Sequence, residues 1–125
     1  MVKPEPKIEL GKDLINILDE KGINPTAFLW FYLPDGNTWR LVMSSPSLDK
    51  DIKKAYEDFI KEFGKEVSVK AIGLSNISIV PGDNNLLRLL KTAIKTGRGS
   101  IGGVRFTSNI VNGVLIEDAC IYRLV

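Results

Sequence analysis

An uninterrupted apolar run, AFLWFYL at positions 27–33, is the feature of this sequence that most constrains its fold. The run is rich in aromatic residues, which is typical of a strand, and it stops at the turn sequence Pro34-Asp35-Gly36-Asn37. Closing a hairpin on that turn pairs the run with a second strand, Thr38–Ser44. The resulting register sets Tyr32 opposite Trp39.

This register sorts the side chains of the hairpin onto two faces. One face carries the six large apolar side chains of Phe28, Trp30, Tyr32, Trp39, Leu41 and Met43. The other face is also apolar and carries Leu29, Phe31, Leu33 and Val42. An antiparallel strand with one face in water should alternate apolar and polar residues, and the first strand does not. The sequence therefore predicts either helices on both faces of the sheet or a second copy of the chain against one of them.

The other segments are assigned from their apolar spacing and their turn residues. The predicted helices are Gly11–Lys21, Leu48–Phe63 and Asn84–Thr96. The predicted extended segments are a lead-in at Met1–Ile8, one kinked strand or two short strands within Val67–Val80, and a last hairpin of Gly103–Val111 and Val114–Leu124. Asn112-Gly113 suits a type I′ turn between the last two strands.

The predicted fold class is α+β, in the order α-β-β-α-β-α-β-β, with a single domain over residues 1–125. Two hairpins and a lone strand favour a mainly antiparallel sheet of about five strands with the three helices packed on it. Only three helices are predicted, and they are few for covering both apolar faces of the sheet. The sequence therefore favours a homodimer in which one face is buried against another copy of the chain. Candidate interface residues are Phe28, Trp30, Tyr32 and Trp39. The alternative is that these aromatic residues belong to the core, because aromatic pairs stabilise neighbouring strands.

The chain contains no histidine and only one cysteine, Cys120. Without histidine it lacks the commonest general base and metal ligand, which excludes Ser-His-Asp and Cys-His catalysis and most zinc sites. A single cysteine forms no internal disulfide, and the N-terminus shows no signal-peptide pattern, so we expect a cytoplasmic protein. No apolar run approaches the roughly 20 residues of a membrane span. We predict no catalytic residue, no metal site and no cofactor.

The clearest functional signal is a basic segment, residues 84–116, which contains no Asp or Glu. Its five basic residues are Arg88, Lys91, Lys95, Arg98 and Arg105. The rest of the chain contains the other 12 of the 17 basic residues and all 15 acidic residues, so its net charge is negative. Arg88, Lys91 and Lys95 have the i, i+3, i+7 spacing of one helical face. Arg98 follows in a glycine-rich connection, where exposed backbone amides favour anions.

These features predict a site for phosphate, whether on a nucleotide, RNA or DNA. The candidate binding residues are Arg88, Lys91, Lys95, Arg98, Gly97, Gly99 and Ser100. The same residues also have an ordinary structural explanation, because cations near the end of a helix interact favourably with its dipole and glycines shape connections. The glycine spacing matches the dinucleotide fingerprint but lacks its βαβ context, and the loop is not a P-loop.

The function hypothesis is therefore a non-enzymatic binding or interaction domain whose basic face engages an anionic ligand or nucleic acid. One alternative is a homo-oligomeric partner subunit with no small-molecule site and an apolar patch over the 28–43 hairpin. Another is a small enzyme acting on a phosphorylated substrate, with Asp83 or Asp118 as acid–base and the Gly97–Gly103 loop around the phosphate. A simpler role for Asp118 is a cross-strand ion pair with Arg105. Cys120 is predicted to be buried.

Overall fold

The computed structural model describes residues 5–48 and 50–125. Its helices and strands, in chain order, are α1 (Glu5–Glu20), β1 (Ala27–Leu33), β2 (Thr38–Ser44), α2 (Ile52–Phe63), α3 (Val67–Ile72), β3 (Ile77–Ile79), α4 (Asn85–Lys91), β4 (Val104–Val111) and β5 (Val114–Leu124). Part of the predicted extended lead-in, Met1–Ile8, lies outside the described residues. From Glu5 onward it is the first part of α1, because proline is tolerated in the first turn of a helix.

The five strands form one mixed sheet in the order β3-β2-β1-β5-β4. The β1–β2, β1–β5 and β4–β5 pairs are antiparallel, whereas β3 runs parallel to β2. The α+β class is therefore confirmed, and the sheet is less purely antiparallel than predicted. The parallel pair arises because α2 and α3 form a crossover between β2 and β3, the kind of connection that parallel strands require.

Both hairpins have the predicted registers. Tyr32 lies opposite Trp39 in the first hairpin, and Val111 lies opposite Val114 in the second. The Asn112-Gly113 turn has φ values of 48° and 80°, the positive values that a type I′ turn needs at both central positions. Turn chemistry near the strand ends thus fixed the pairing of four of the five strands.

The predicted extended segment Val67–Val80 is wrong over its first half. Residues 67–72 form α3, and only Ile77–Ile79 is a strand. Val67 is 81% exposed whereas Val69 is buried, so these two residues do not share a buried strand face. The β-branched residues of this segment favoured a strand. A helix of six residues is too short to show a helical repeat of apolar residues in the sequence, and packing against the core determined the structure.

Helix α4 ends at Lys91 and not at the predicted Thr96. Beyond the helix, the Thr96 amide donates to the Leu124 carbonyl oxygen at 2.7 Å, and the Thr96 hydroxyl accepts from the Leu124 amide at 2.8 Å. This bonding draws the chain alongside the end of β5 and requires the helix to end before Thr96. Lys95 is therefore outside α4, and the predicted stripe of Arg88, Lys91 and Lys95 on one helix is wrong.

Helices of the chain pack on both faces of the sheet. Helices α1, α2 and α3 pack on one face, and α4 packs on the other, where Leu87 and Leu90 join the core. The four candidate interface residues, Phe28, Trp30, Tyr32 and Trp39, lie in the first layer and are at most 7% exposed. These four aromatic side chains are core residues of the single chain.

Candidate functional site

The candidate cations of the basic segment are spread over three neighbouring pieces of chain. Arg88 and Lys91 lie on α4, Lys95 lies on the stretch that follows it, and Arg98 lies in the turn formed by residues 97–100. We call this turn the exit turn. Arg88, Lys95 and Arg98 are exposed, and Lys91 is half-buried.

None of these four cations forms an ion pair within the part of the chain that the structure describes. The ion pairs found there join Arg105 to Asp118 and Arg123 to Asp19. The basic segment holds no acidic residue that could neutralise the cations locally. A group of uncompensated surface cations raises the local concentration of anions and favours their binding.

The exit turn is closed by a hydrogen bond from the Ser100 amide to the Gly97 carbonyl oxygen, 3.1 Å long. On its inner side, the Ser100 carbonyl oxygen accepts from Arg123 Nε at 2.9 Å. Among the described residues, the backbone amides of Arg98 and Gly99 donate to no acceptor. Free neighbouring amides beside a guanidinium are the components of an anion-binding turn.

Gly97 and Gly99 are not required by the structure of the chain itself. Neither has a positive φ, and a Cβ atom added at either position meets no atom within 4 Å. Gly103 differs, because its φ of 68° is in the left-handed region that favours glycine. Neither conformation nor packing requires a glycine at positions 97 and 99. The absence of a side chain leaves the backbone there open to close approach by a ligand.

A cleft of about 390 Å³ opens beside the exit turn. It is lined by Asn24, Pro25, Thr26, Arg98, Gly99 and Val125. No Asp or Glu side chain is among these residues. Asp83 lines a different hollow with Pro81 and Gly82, and Asp118 is buried in an ion pair. Neither carboxylate proposed for an enzyme therefore lines this cleft.

Arg123 positions the exit turn and is not among the site residues predicted from the sequence. Its side chain is 1% exposed and donates from Nη1 and Nη2 to the two carboxylate oxygens of Asp19, at 2.9 and 2.8 Å. Further donations reach the carbonyl oxygens of Pro25, at 3.1 Å, and Ser100. The guanidinium thus joins the end of α1, the loop before β1 and the exit turn to β5. An arginine inside the apolar end of a strand was the available signal, because a buried charge needs partners.

The predicted ion pair between Arg105 and Asp118 is confirmed. It excludes Arg105 from the candidate site. The Arg105 Nε and Nη2 atoms donate to the two carboxylate oxygens at 2.6 Å each, a bidentate arrangement. Asp118 is 1% exposed, and the guanidinium lies 6.0 Å from the centre of the Trp39 ring. The candidate cations are therefore Arg88, Lys91, Lys95 and Arg98.

The thiol of Cys120 is buried, as predicted. Burial raises its pKa, the nearby Arg105 partly lowers it, and Asp118 raises it again. A thiol held in its protonated form is a poor nucleophile. Within residues 5–48 and 50–125, no group of three or more His, Cys, Asp or Glu side chains is placed to hold a metal ion.

Comparisons of this chain with protein families, with curated proteins and with solved structures give no match. Over the described residues, no helix has both the length and the apolar character needed to cross a membrane. The geometry of the exit turn, which includes Arg98, and the exposed charges of Arg88 and Lys95 are therefore the basis for a functional proposal.

Proposed function

We propose that this chain is a non-enzymatic binding domain that engages a phosphate-bearing ligand, with nucleic acid as the best-fitting class. The observation that carries the proposal is the exit turn, where free amides lie beside Arg98 at glycines that the chain's own structure does not require. The neighbouring cations lie on a helix, a connecting stretch and a turn. Cations distributed in this way suit the repeated phosphates of a polymer better than a single phosphate group.

Binding would divide into two kinds of contact. At the exit turn, a phosphate oxygen accepts hydrogen bonds from the amides of Arg98 and Gly99, and the guanidinium adds charge-assisted bonds. Arg88, Lys91 and Lys95 contribute further contacts to neighbouring phosphates without reading base sequence. Three or four phosphate contacts to a single strand predict an affinity that falls roughly 20- to 50-fold between 50 and 200 mM salt.

Replacing Arg98 with glutamine is expected to weaken binding of a fluorescently labelled single-stranded oligonucleotide about tenfold at low salt. The slope of log affinity against log salt should become shallower by about 0.7, because one phosphate contact is lost. Arg98 is exposed and forms no ion pair with any described residue, so the fold should be unaffected. Fluorescence anisotropy at several salt concentrations measures both quantities.

The matched control is Lys53→Gln, which removes the same charge from the exposed surface of α2, on the opposite side of the sheet from α4. Its affinity should stay within about twofold of the unmodified chain. If the two variants lose the same affinity, the loss is an effect of net charge alone, and this result would contradict the proposal. Unchanged affinity in Arg98→Gln would contradict it as well.

A further inference from the structure

Strand β4 is a long open edge of the sheet, and we propose that it pairs in antiparallel fashion with β4 of a second copy. In the strand order β4 is the terminal strand and has β5 on one side only. It is eight residues long, and most of its side chains are exposed. The outward N–H and C=O groups of such a strand are a template for another strand.

β4 lacks two of the features that normally protect an edge strand, because it is neither short nor interrupted by proline. Edge strands avoid pairing by being short, by carrying exposed charges or by containing proline. β4 has the sequence VRFTSNIV, and its one charged residue, Arg105, is held by Asp118 of the same chain. The opposite edge of the sheet, β3, has three residues and is too short for extensive pairing.

An exposed apolar tip adds a second driving force at the same place. Ile110 and Leu115 lie directly opposite each other in the β4–β5 hairpin and are 72% and 62% exposed. β1 pairs with β5 only over Ala119–Leu124, so the tip extends past β1. Strand pairing at this edge would bury part of this apolar surface, and that burial favours association.

The charges of β4 favour a second copy as the partner. In an antiparallel pair centred on the strand's midpoint, Arg105 of one copy lies opposite Ile110 of the other, and Val104 lies opposite Val111. Like charges therefore do not meet, and the aliphatic stem of arginine can cover the isoleucine. Because the sheet has a single long edge, pairing is complete with two copies and gives a closed two-fold dimer.

The size of the contact predicts a moderate affinity. A strand pair with its apolar tip buries less than the roughly 800 Å² per partner of a standard interface. In addition, Ser108 has a φ of 47°, which interrupts the pleat near the middle of β4. We expect a dissociation constant in the micromolar range.

Sedimentation equilibrium from low micromolar to submillimolar concentration tests the proposal. The average mass should rise with concentration from 13.9 kDa toward twice that value. Ile110→Lys should raise the dissociation constant at least about tenfold, because it places an exposed charge on the edge. The control, Ile60→Lys, makes the same change at a 48% exposed position on α2 and should dimerise like the unmodified chain.

A mass that stays at 13.9 kDa over the whole range overturns the proposal, whatever else β4 binds. Equal dimerisation of Ile110→Lys and Ile60→Lys overturns it too, because the interface would then lie elsewhere. Hydrogen exchange provides an independent readout, since the β4 amides should become more protected as the concentration rises. Ile110 lies outside the exit turn, so none of these outcomes decides the proposed phosphate binding.

Discussion

Replacing Asp19 with asparagine should lower the free energy of unfolding by roughly 3 kcal/mol, because Arg123 would keep its buried charge without a counter-ion. Arg123 is 1% exposed, and both of its terminal nitrogens donate to the Asp19 carboxylate. Asp19 is 29% exposed, so water offsets part of the loss and the effect should lie at the lower end of the range for buried pairs. Urea unfolding followed by tryptophan fluorescence measures the change.

The control for this prediction is Asp13→Asn, an exposed position on the same helix. Among the described residues Asp13 takes part in no ion pair, so its variant should stay within about 0.5 kcal/mol of the unmodified chain. If Asp19→Asn costs no more than Asp13→Asn, then Arg123 does not hold the three segments together as inferred.

Gly11→Ala should destabilise the protein by roughly 2 kcal/mol, although in an exposed helix the same change usually stabilises by about 0.5–1 kcal/mol. A Cβ atom at this position would contact the Tyr122 hydroxyl, and it would lie 2.8 Å from Tyr122 Cζ and 2.9 Å from Trp30 Nε1. Neither ring can retreat easily. The Tyr122 hydroxyl donates to the Ile8 carbonyl oxygen, the Trp30 nitrogen donates to that of Lys7, and both rings are buried.

Urea unfolding also measures the destabilisation in Gly11→Ala. Gly97→Ala is the control for replacing a glycine with alanine at an uncrowded position. A Cβ atom at Gly97 meets nothing within 4 Å, so that variant should match or slightly exceed the stability of the unmodified chain. Stability in Gly11→Ala equal to that of Gly97→Ala would show that α1 does not pack closely on Tyr122 and Trp30.

The sequence predicted the elements whose geometry is set locally. The turn at residues 34–37 and the Asn112-Gly113 turn fixed two hairpins, including their registers, because the turn determines which residues face each other; in the first turn the left-handed residue is Asn37. The end of α4 was not predictable in this way, since it depends on a contact between Thr96 and Leu124 at the other end of the fold. Helix α3 was also missed; it packs on one face of the sheet with α1 and α2, while the predicted third helix covers the other face.

The candidate site was predictable only as a charge pattern. The absence of acidic residues between positions 84 and 116 located the basic segment and its glycine-rich exit. The role of Arg123 was out of reach, because its partner Asp19 is 104 residues away in the chain. Helical spacing joined Lys95 to Arg88 and Lys91, and that grouping failed where long-range hydrogen bonds ended the helix.

The most direct test of phosphate binding at the exit turn is the oligonucleotide affinity of Gly99→Ala, with its free energy of unfolding as the control. We expect binding to be weakened about three- to tenfold, because a methyl group would block close approach of a phosphate to the free amides. Stability should be unchanged or up to about 1 kcal/mol higher, since the site is open and the unfolded chain loses entropy. Affinity equal to that of the unmodified chain would rule out phosphate binding at the exit turn, because its backbone would then take no part in binding.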